Sequence, residues 1–283
     1  MSLRFQKWQA LGNDYVIVER DELPFDLNPA RVRRLCAAHF GCHSDGVLLL
    51  SRPIGDHFVA GVRIFNPDGS EAEISGNGVR QAVLYVYREG WTASKTFAIE
   101  TAAGEIRPTI IDARTCAVDM GRATLQSRDF PSGGQDGRGA LAAAGRRFRF
   151  QHVNIGNPQC VIDVGEELES LDLAELGPAI EHHDLFPNRT NVAFMRLDSE
   201  RRVRARIFER GVGETLSSGT GACASAVTAV LGGARSPVTV ELAGGELEVI
   251  VGDDTSVTLT GWAEPVFAGE LSEELVTALR DAT

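Results

Sequence analysis

Most of the chain is built of short runs rich in β-branched, aromatic and aliphatic residues, each bounded by glycine, proline, asparagine or aspartate. YVIVE (15–19), GVLLL (46–50), GVRIF (61–65), FAIET (97–101) and CAVDM (116–120) predict strands in the first half. RFRFQHV (147–153), CVIDV (160–164), VAFMRL (192–197), VRARIF (203–208), PVTVELA (237–243), LEVIV (247–251) and SVTLT (256–260) predict strands in the second. Two segments break this rhythm. VRQAVLYVYREG (79–90) and ACASAVTAVLGG (222–233) have helix length and are apolar on most faces. A helix apolar all round is buried on all sides, so each predicts a central helix inside a sheet.

The two helices follow related sequences. In SEAEISGNGVRQAV (70–83) and GETLSSGTGACASAV (213–227), Glu71, Ser75, Gly76 and Gly78 fall on Glu214, Ser218, Gly219 and Gly221, an offset of 143. LGNDYVIVE (11–19) falls on IGNPQCVIDV (155–164) at an offset of 144. IETAAGEI (99–106) falls on VELAGGEL (240–247), and TCAVDMG (115–121) on TSVTLTG (255–261). Four blocks recurring in one order mean two copies of one fold. The period is far too long for a solenoid, whose repeats run about 20–50 residues. The expectation is an α+β protein of two pseudo-symmetric domains, each a curled, mostly antiparallel sheet around a central helix. Residues 1–120 with 264–283 form one domain and 121–263 the other. The tail from 264 lies beyond the second copy and is expected to pack on the first domain. PSGGQDGRGALAAAG (131–145) reads as a loop.

Composition narrows the function. The chain has 283 residues, enough for two domains with real cores, and its net charge of −11 argues against nucleic-acid binding. No apolar run approaches the roughly 18 residues of a membrane span. The five cysteines are scattered, without a CxxC pair, so no metal site is expected. The first residues show no signal-peptide block, and a cytoplasmic home is expected. The Asn188-Arg189-Thr190 sequon is then chance.

A helix start offers unpaired N–H groups and the positive end of a dipole, a ready site for a carboxylate or phosphate. Glycines there let a ligand approach the backbone. Neither motif has a Walker A lysine or a GxSxG elbow. Either serine alone reads equally as an ordinary N-cap. Duplication changes the weighing: two equivalent helix starts facing one small acid could remove a proton from one face of a carbon and return one to the other.

FNPDGSEAEISGNGVR (65–80) and FERGVGETLSSGTGACA (208–224) resemble the two signatures of the diaminopimelate epimerase family. LGNDYV (11–16), AHFG (38–41), GNPQC (156–160) and RTNVAFM (189–195) are similar to further motifs of that family. The resemblance implies cofactor-independent interconversion of LL- and meso-diaminopimelate, serving lysine and cell-wall synthesis. It also points to a homodimer. Ser75 and Ser218 fall where the family has two proton-transferring cysteines. Gln159 falls on a histidine that tunes them, and His43 where a glycine is usual.

A serine hydroxyl is a far weaker acid than a thiol and needs help to act as a base. The resemblance places Glu209 at the α-ammonium group beside the proton-transfer pair, and Arg210 at the distal carboxylate. Asn13, Asn66, Asn157 and Asn191 are placed at the distal amino-acid end. Gly76, Asn77, Gly219 and Thr220 would offer backbone N–H groups to the reacting carboxylate. Each asparagine also reads as a turn residue, and Arg210 as a surface charge. Three readings stay open: an epimerase working through serines, a related isomerase, racemase or dehydratase on another amino or carboxylic acid, and a protein that binds diaminopimelate without turning it over.

Overall fold

The computed structural model describes residues 3–53, 55 and 57–283. The chain forms two compact units, Met1–Val118 with Gly261–Thr283, and Asp119–Thr260. Among the described residues the α-helices are α1 (Pro29–Cys36), α2 (Gly76–Arg88), α3 (Leu173–Glu181), α4 (Gly219–Leu231) and α5 (Glu273–Asp281).

In the first unit the strands lie side by side in the order Glu264–Leu271, Leu3–Ala10, Asn13–Glu19, Val47–Ser51, Ala60–Phe65, Ile99–Thr101 and Gly104–Ile106. The second unit repeats this order with Arg138–Ala143, Arg146–Asn154, Pro158–Asp163, Asn191–Ser199, Arg202–Glu209, Val238–Leu242 and Gly245–Val251, followed by Ser256–Trp262. Most neighbours are antiparallel. The parallel pairs fall at matching places: Asn13–Glu19 with Val47–Ser51 and Ala60–Phe65 with Ile99–Thr101 in one sheet, and Pro158–Asp163 with Asn191–Ser199 and Arg202–Glu209 with Val238–Leu242 in the other. The fold is α+β, two copies of one mixed, mostly antiparallel sheet around a helix.

Both central helices are enclosed. α2 is buried continuously from Gly76 to Val86, and α4 from Gly219 to Val227. α2 packs on the four strands Leu3–Ala10 to Ala60–Phe65, and α4 on the strands from Arg146–Asn154 to Gly245–Val251. Their all-round apolar sequences are what such burial requires. The small residues of α4 let the surrounding strands come close.

The 131–145 segment differs from its expected loop. Its second half is the strand Arg138–Ala143, paired antiparallel with Arg146–Asn154. Packing accounts for the glycine at 139: a side chain there would lie 2.4 Å from the Phe150 ring. The tail adds the strand Glu264–Leu271 beside Leu3–Ala10 and sets α5 against α1, where Arg31 donates to the carbonyls of Leu279 (2.8 Å) and Arg280 (2.9 Å).

Candidate functional site

Ser75 and Ser218 are the N-caps of α2 and α4, in nearly the same backbone conformation: φ −137°, ψ 118° and φ −142°, ψ 121°. Each Oγ accepts from the N–H three residues on, Gly78 at 3.1 Å and Gly221 at 3.2 Å. Each serine carbonyl accepts the first intrahelical bond, from Val79 (2.8 Å) and Ala222 (3.0 Å). The N–H groups of Gly76, Asn77, Gly219 and Thr220 lie in the turn that no carbonyl of the same helix can reach, at the positive end of the dipole. Gly78 and Gly221 are also closely packed. A Cβ would sit 3.2 Å from Leu48 in one unit and 3.0 Å from Ile207 in the other, so sheet side chains press on each first turn.

A second shared element fixes the approach to each helix. The short strands Glu71–Ala72 and Gly213–Thr215 pair with Ala60–Phe65 and Arg202–Glu209. In each, an arginine grips the motif glutamate: Arg63 Nε and Nη2 reach Glu71 at 2.9 and 2.8 Å, and Arg206 Nε reaches Glu214 at 2.9 Å. Arg63 holds the Glu71 carboxyl below the usual carboxylate range, its hydrogen bonds outweighing desolvation.

The other candidates divide between the units. In the first, Asn13 donates from its side chain to Asp45 (2.9 Å), and its carbonyl accepts from Gln81 in α2 (3.0 Å). Asn66 donates to Ser70 Oγ at 3.0 Å, and its carbonyl accepts from Gly69 at 2.9 Å. Asn77 Oδ1 accepts from Arg80 Nη2 at 2.7 Å. In the second unit Asn157 and Gln159 converge on Thr220 Oγ1, at 3.3 and 3.1 Å. Asn191 is engaged at both ends of its amide, donating to the Pro158 carbonyl (2.9 Å) and accepting the Arg210 backbone N–H (2.9 Å). It holds the loop that carries Arg210. Glu209 ends the strand Arg202–Glu209 half-buried, its carbonyl accepting from Val212 at 3.0 Å, the counterpart of Asn66 and Gly69. The Arg210 guanidinium is exposed and bonds the Asn188 carbonyl at 2.9 Å. Among the described residues no carboxylate pairs with it, so its charge is available to an acidic ligand.

Two residues at the first helix start were absent from the sequence expectations. Tyr15, 5% exposed, donates from its hydroxyl to Ser75 Oγ at 3.3 Å. Arg80 is wholly buried one turn into α2 and donates back to the Gly76 carbonyl at 2.9 Å as well as to Asn77. The repeat could have pointed to Tyr15, because the 144-residue offset places it on Gln159. His43, a conceivable base on its sequence, is exposed with φ 50°, and its carbonyl accepts from Lys7 Nζ. No group of three or more His, Cys, Asp or Glu among the described residues could hold a metal ion. No helix among them is long and apolar enough to cross a membrane.

Comparison with known proteins agrees with this geometry. The family profile described as Diaminopimelate epimerase matches residues 5–126 and 151–266. The chain is 39% identical to Diaminopimelate epimerase 2 of Nostoc sp., over 96% of this chain and 97% of that protein. It is 43% identical to a Diaminopimelate epimerase of Synechococcus sp., over 94% and 97%. Among solved structures, a probable proline racemase from Agrobacterium radiobacter K84 with bound carbonate superposes with a TM-score of 0.70 at 16% identity, covering 96% of this chain and 93% of that one, a likeness of fold. With the twin capped helices and the profile match covering most of the chain, these findings place the chain in the diaminopimelate epimerase family.

Proposed function

We propose that this chain is an isomerase that interconverts LL- and meso-diaminopimelate without a cofactor, one serine serving each face of the α-carbon. The observation that carries the reading is the pair of serines capping equivalent helices in the same conformation, in a chain of this family. The substrate carboxylate would take the N–H groups of Gly76, Asn77, Gly219 and Thr220, where the helix dipoles favour an anion and make the α-proton more acidic. Glu209 would take the α-ammonium group. Arg210 would take the distal carboxylate, a fork suited to two parallel bonds. Asn13, Asn66, Asn157 and Asn191 would line the distal end, Asn191 chiefly by holding the Arg210 loop.

In the chemical step an ionised serine oxygen takes the α-proton. One C–H bond breaks and an O–H bond forms, while the opposite serine hydroxyl gives its proton to the other face and becomes the ionised one. Charge and protons balance, and proton exchange with solvent after product release restores the starting pair for the next turnover. The scattered cysteines, with no CxxC pair, suit a reducing cytoplasm, which we propose as the compartment. A homodimer rests on the family resemblance alone, and light scattering would read it.

Oxygen in place of sulfur favours one alternative, a protein that binds diaminopimelate but does not turn it over. Incubation with LL-diaminopimelate in D₂O separates the two. The expected outcome is loss of the α-proton NMR signal with meso isomer on chiral chromatography, and a fall of about 10³-fold in Ser75→Ala and in Ser218→Ala. Tight binding by calorimetry with no exchange would overturn the epimerase reading in favour of the silent one.

A further inference from the structure

We infer that Tyr15 is a positioning residue that makes Ser75, rather than Ser218, the serine that carries the negative charge before proton transfer. The inference rests on the two-serine reading above. A hydroxyl has one donor and two acceptor lone pairs. At Ser75 both lone pairs are addressed, by Gly78 N–H at 3.1 Å and by Tyr15 O–H at 3.3 Å. The Ser75 proton is then the one part of the group left to act. Once it is lost, the oxyanion already has two aimed donors. The Tyr15 bond is long for a neutral pair, and charge-assisted O–H···O⁻ bonds close to about 2.5–2.7 Å, so ionisation strengthens it. Donors preset where charge develops need no reorganisation when it appears.

The second unit lacks this arrangement. Ser218 Oγ accepts from Gly221 N–H at 3.2 Å. The residue aligned with Tyr15 is Gln159, and its two N–H donors are engaged elsewhere, with Asn157 Oδ1 at 2.8 Å and Thr220 Oγ1 at 3.1 Å. Its Oε1 is buried with no partner among the described residues and can only accept. Glutamine there offers Ser218 no donor to match the phenol.

The difference is built into the neighbouring strands. Tyr15 lies one step before the parallel register Val16↔Val47, beside Gly46, and a Cβ at Gly46 would lie 2.6 Å from the Tyr15 ring. Gly46 thus leaves the space in which the ring lies. The corresponding pair is Gln159↔Asn191, where a shorter side chain stands beside a larger neighbour.

Thiols introduced at the two caps read this directly. In Ser75→Cys the pH dependence of iodoacetamide alkylation, located by mass spectrometry, gives the thiol pKa. Burial pushes the native Cys36, Cys42, Cys116 and Cys160 thiols up, Cys42 to about 11 and Cys116 to about 12, clear of a capping thiol. Adding Tyr15→Phe should cut the thiolate fraction at position 75 about tenfold at neutral pH, the effect of losing one hydrogen bond to the charged form. The same addition in Ser218→Cys should leave that thiol unchanged. Should Tyr15→Phe fail to fold, 4-aminophenylalanine at position 15 keeps the ring's shape with a weaker, neutral donor, and the thiol at position 75 should then ionise at higher pH. An unchanged thiol at position 75, or equal shifts at both positions, would overturn the inference. In the native background Tyr15→Phe should lower the exchange rate about 10-fold and move its pH profile upward with little change in KM. If the native protein shows no exchange, the epimerase reading fails, while the thiol titration still decides the Tyr15–Ser75 contact.

Discussion

The two helix starts share a backbone and differ in their furniture. Cap geometry, the Arg–Glu clamp and the glycine third in the helix recur in both units. Around that frame the first unit sets Tyr15, Asn66, Asn77 and Arg80, where the second sets Gln159, Glu209, Thr220 and Cys223. Duplication kept what builds a helix N-terminus at the mouth of a curled sheet. What surrounds the serine differs, and the two-serine reading accommodates this, because a reaction that treats two faces of a carbon differently at any instant does not need equal partners. The buried positive charge of Arg80 is in the first unit, and the half-buried Glu209 carboxylate is in the second.

The sharpest test of this contrast restores sulfur. A thiol has a pKa near 8.5, lower still at a helix N-terminus, so Ser75→Cys with Ser218→Cys should raise the epimerisation rate by about 100-fold or more in a coupled assay. Either single change should raise it less. A fall instead would mean that the site is shaped around oxygen.

Stability should separate the two first turns next. Arg80→Met leaves the Gly76 carbonyl and Asn77 Oδ1 short of a buried donor, at about 1–3 kcal/mol by urea denaturation. Cys223→Ala removes one buried atom from α4 and should cost only about 1 kcal/mol. Equal losses would erase the asymmetry.

Each unit also has a left-handed non-glycine residue in the loop before its second parallel strand, His43 (φ 50°) and Arg189 (φ 61°). His43→Gly should gain about 0.5–1 kcal/mol in thermal denaturation, strain relief outweighing the added unfolded-state freedom. Arg189→Gly should gain less, because Arg189 lies 3.6 Å from the buried Glu181 carboxylate.

The smallest effect belongs to the clamp. Glu71→Gln should cost about 0.5 kcal/mol at neutral pH, because the pair is exposed and screened. The Glu71 carboxyl is held below its ordinary value in the folded state, so the pair's contribution is full above the ordinary carboxylate pKa. It is lost as pH falls through the lowered folded value. Parent and variant denaturation curves should therefore converge in acid.

The fold was legible where pattern is strong. Every strand expected from the sequence is present, and both central helices lie where apolar runs met capping serines. α1, α3 and α5 were missed although their caps are written in the chain as Asn28 before Pro29, Asp172 and Ser272. These helices are only 8 or 9 residues long and amphipathic, so periodicity had little length on which to register. The short strands Glu71–Ala72 and Gly213–Thr215 were missed because two or three residues are too few for an alternating pattern to register.

By itself the sequence determined the duplication, the capped helices and the family resemblance, since each is an ordered pattern along the chain and N-caps act over three residues. Tertiary structure alone decided that Tyr15 reaches a serine 60 positions away, that Gln159 spends its donors on Asn157 and Thr220, and that Asn191 holds the Arg210 loop. The reason is physical. A hydrogen bond between residues far apart in sequence depends on strand register and on the space a neighbour such as Gly46 leaves, and neither is written in the local order of residues.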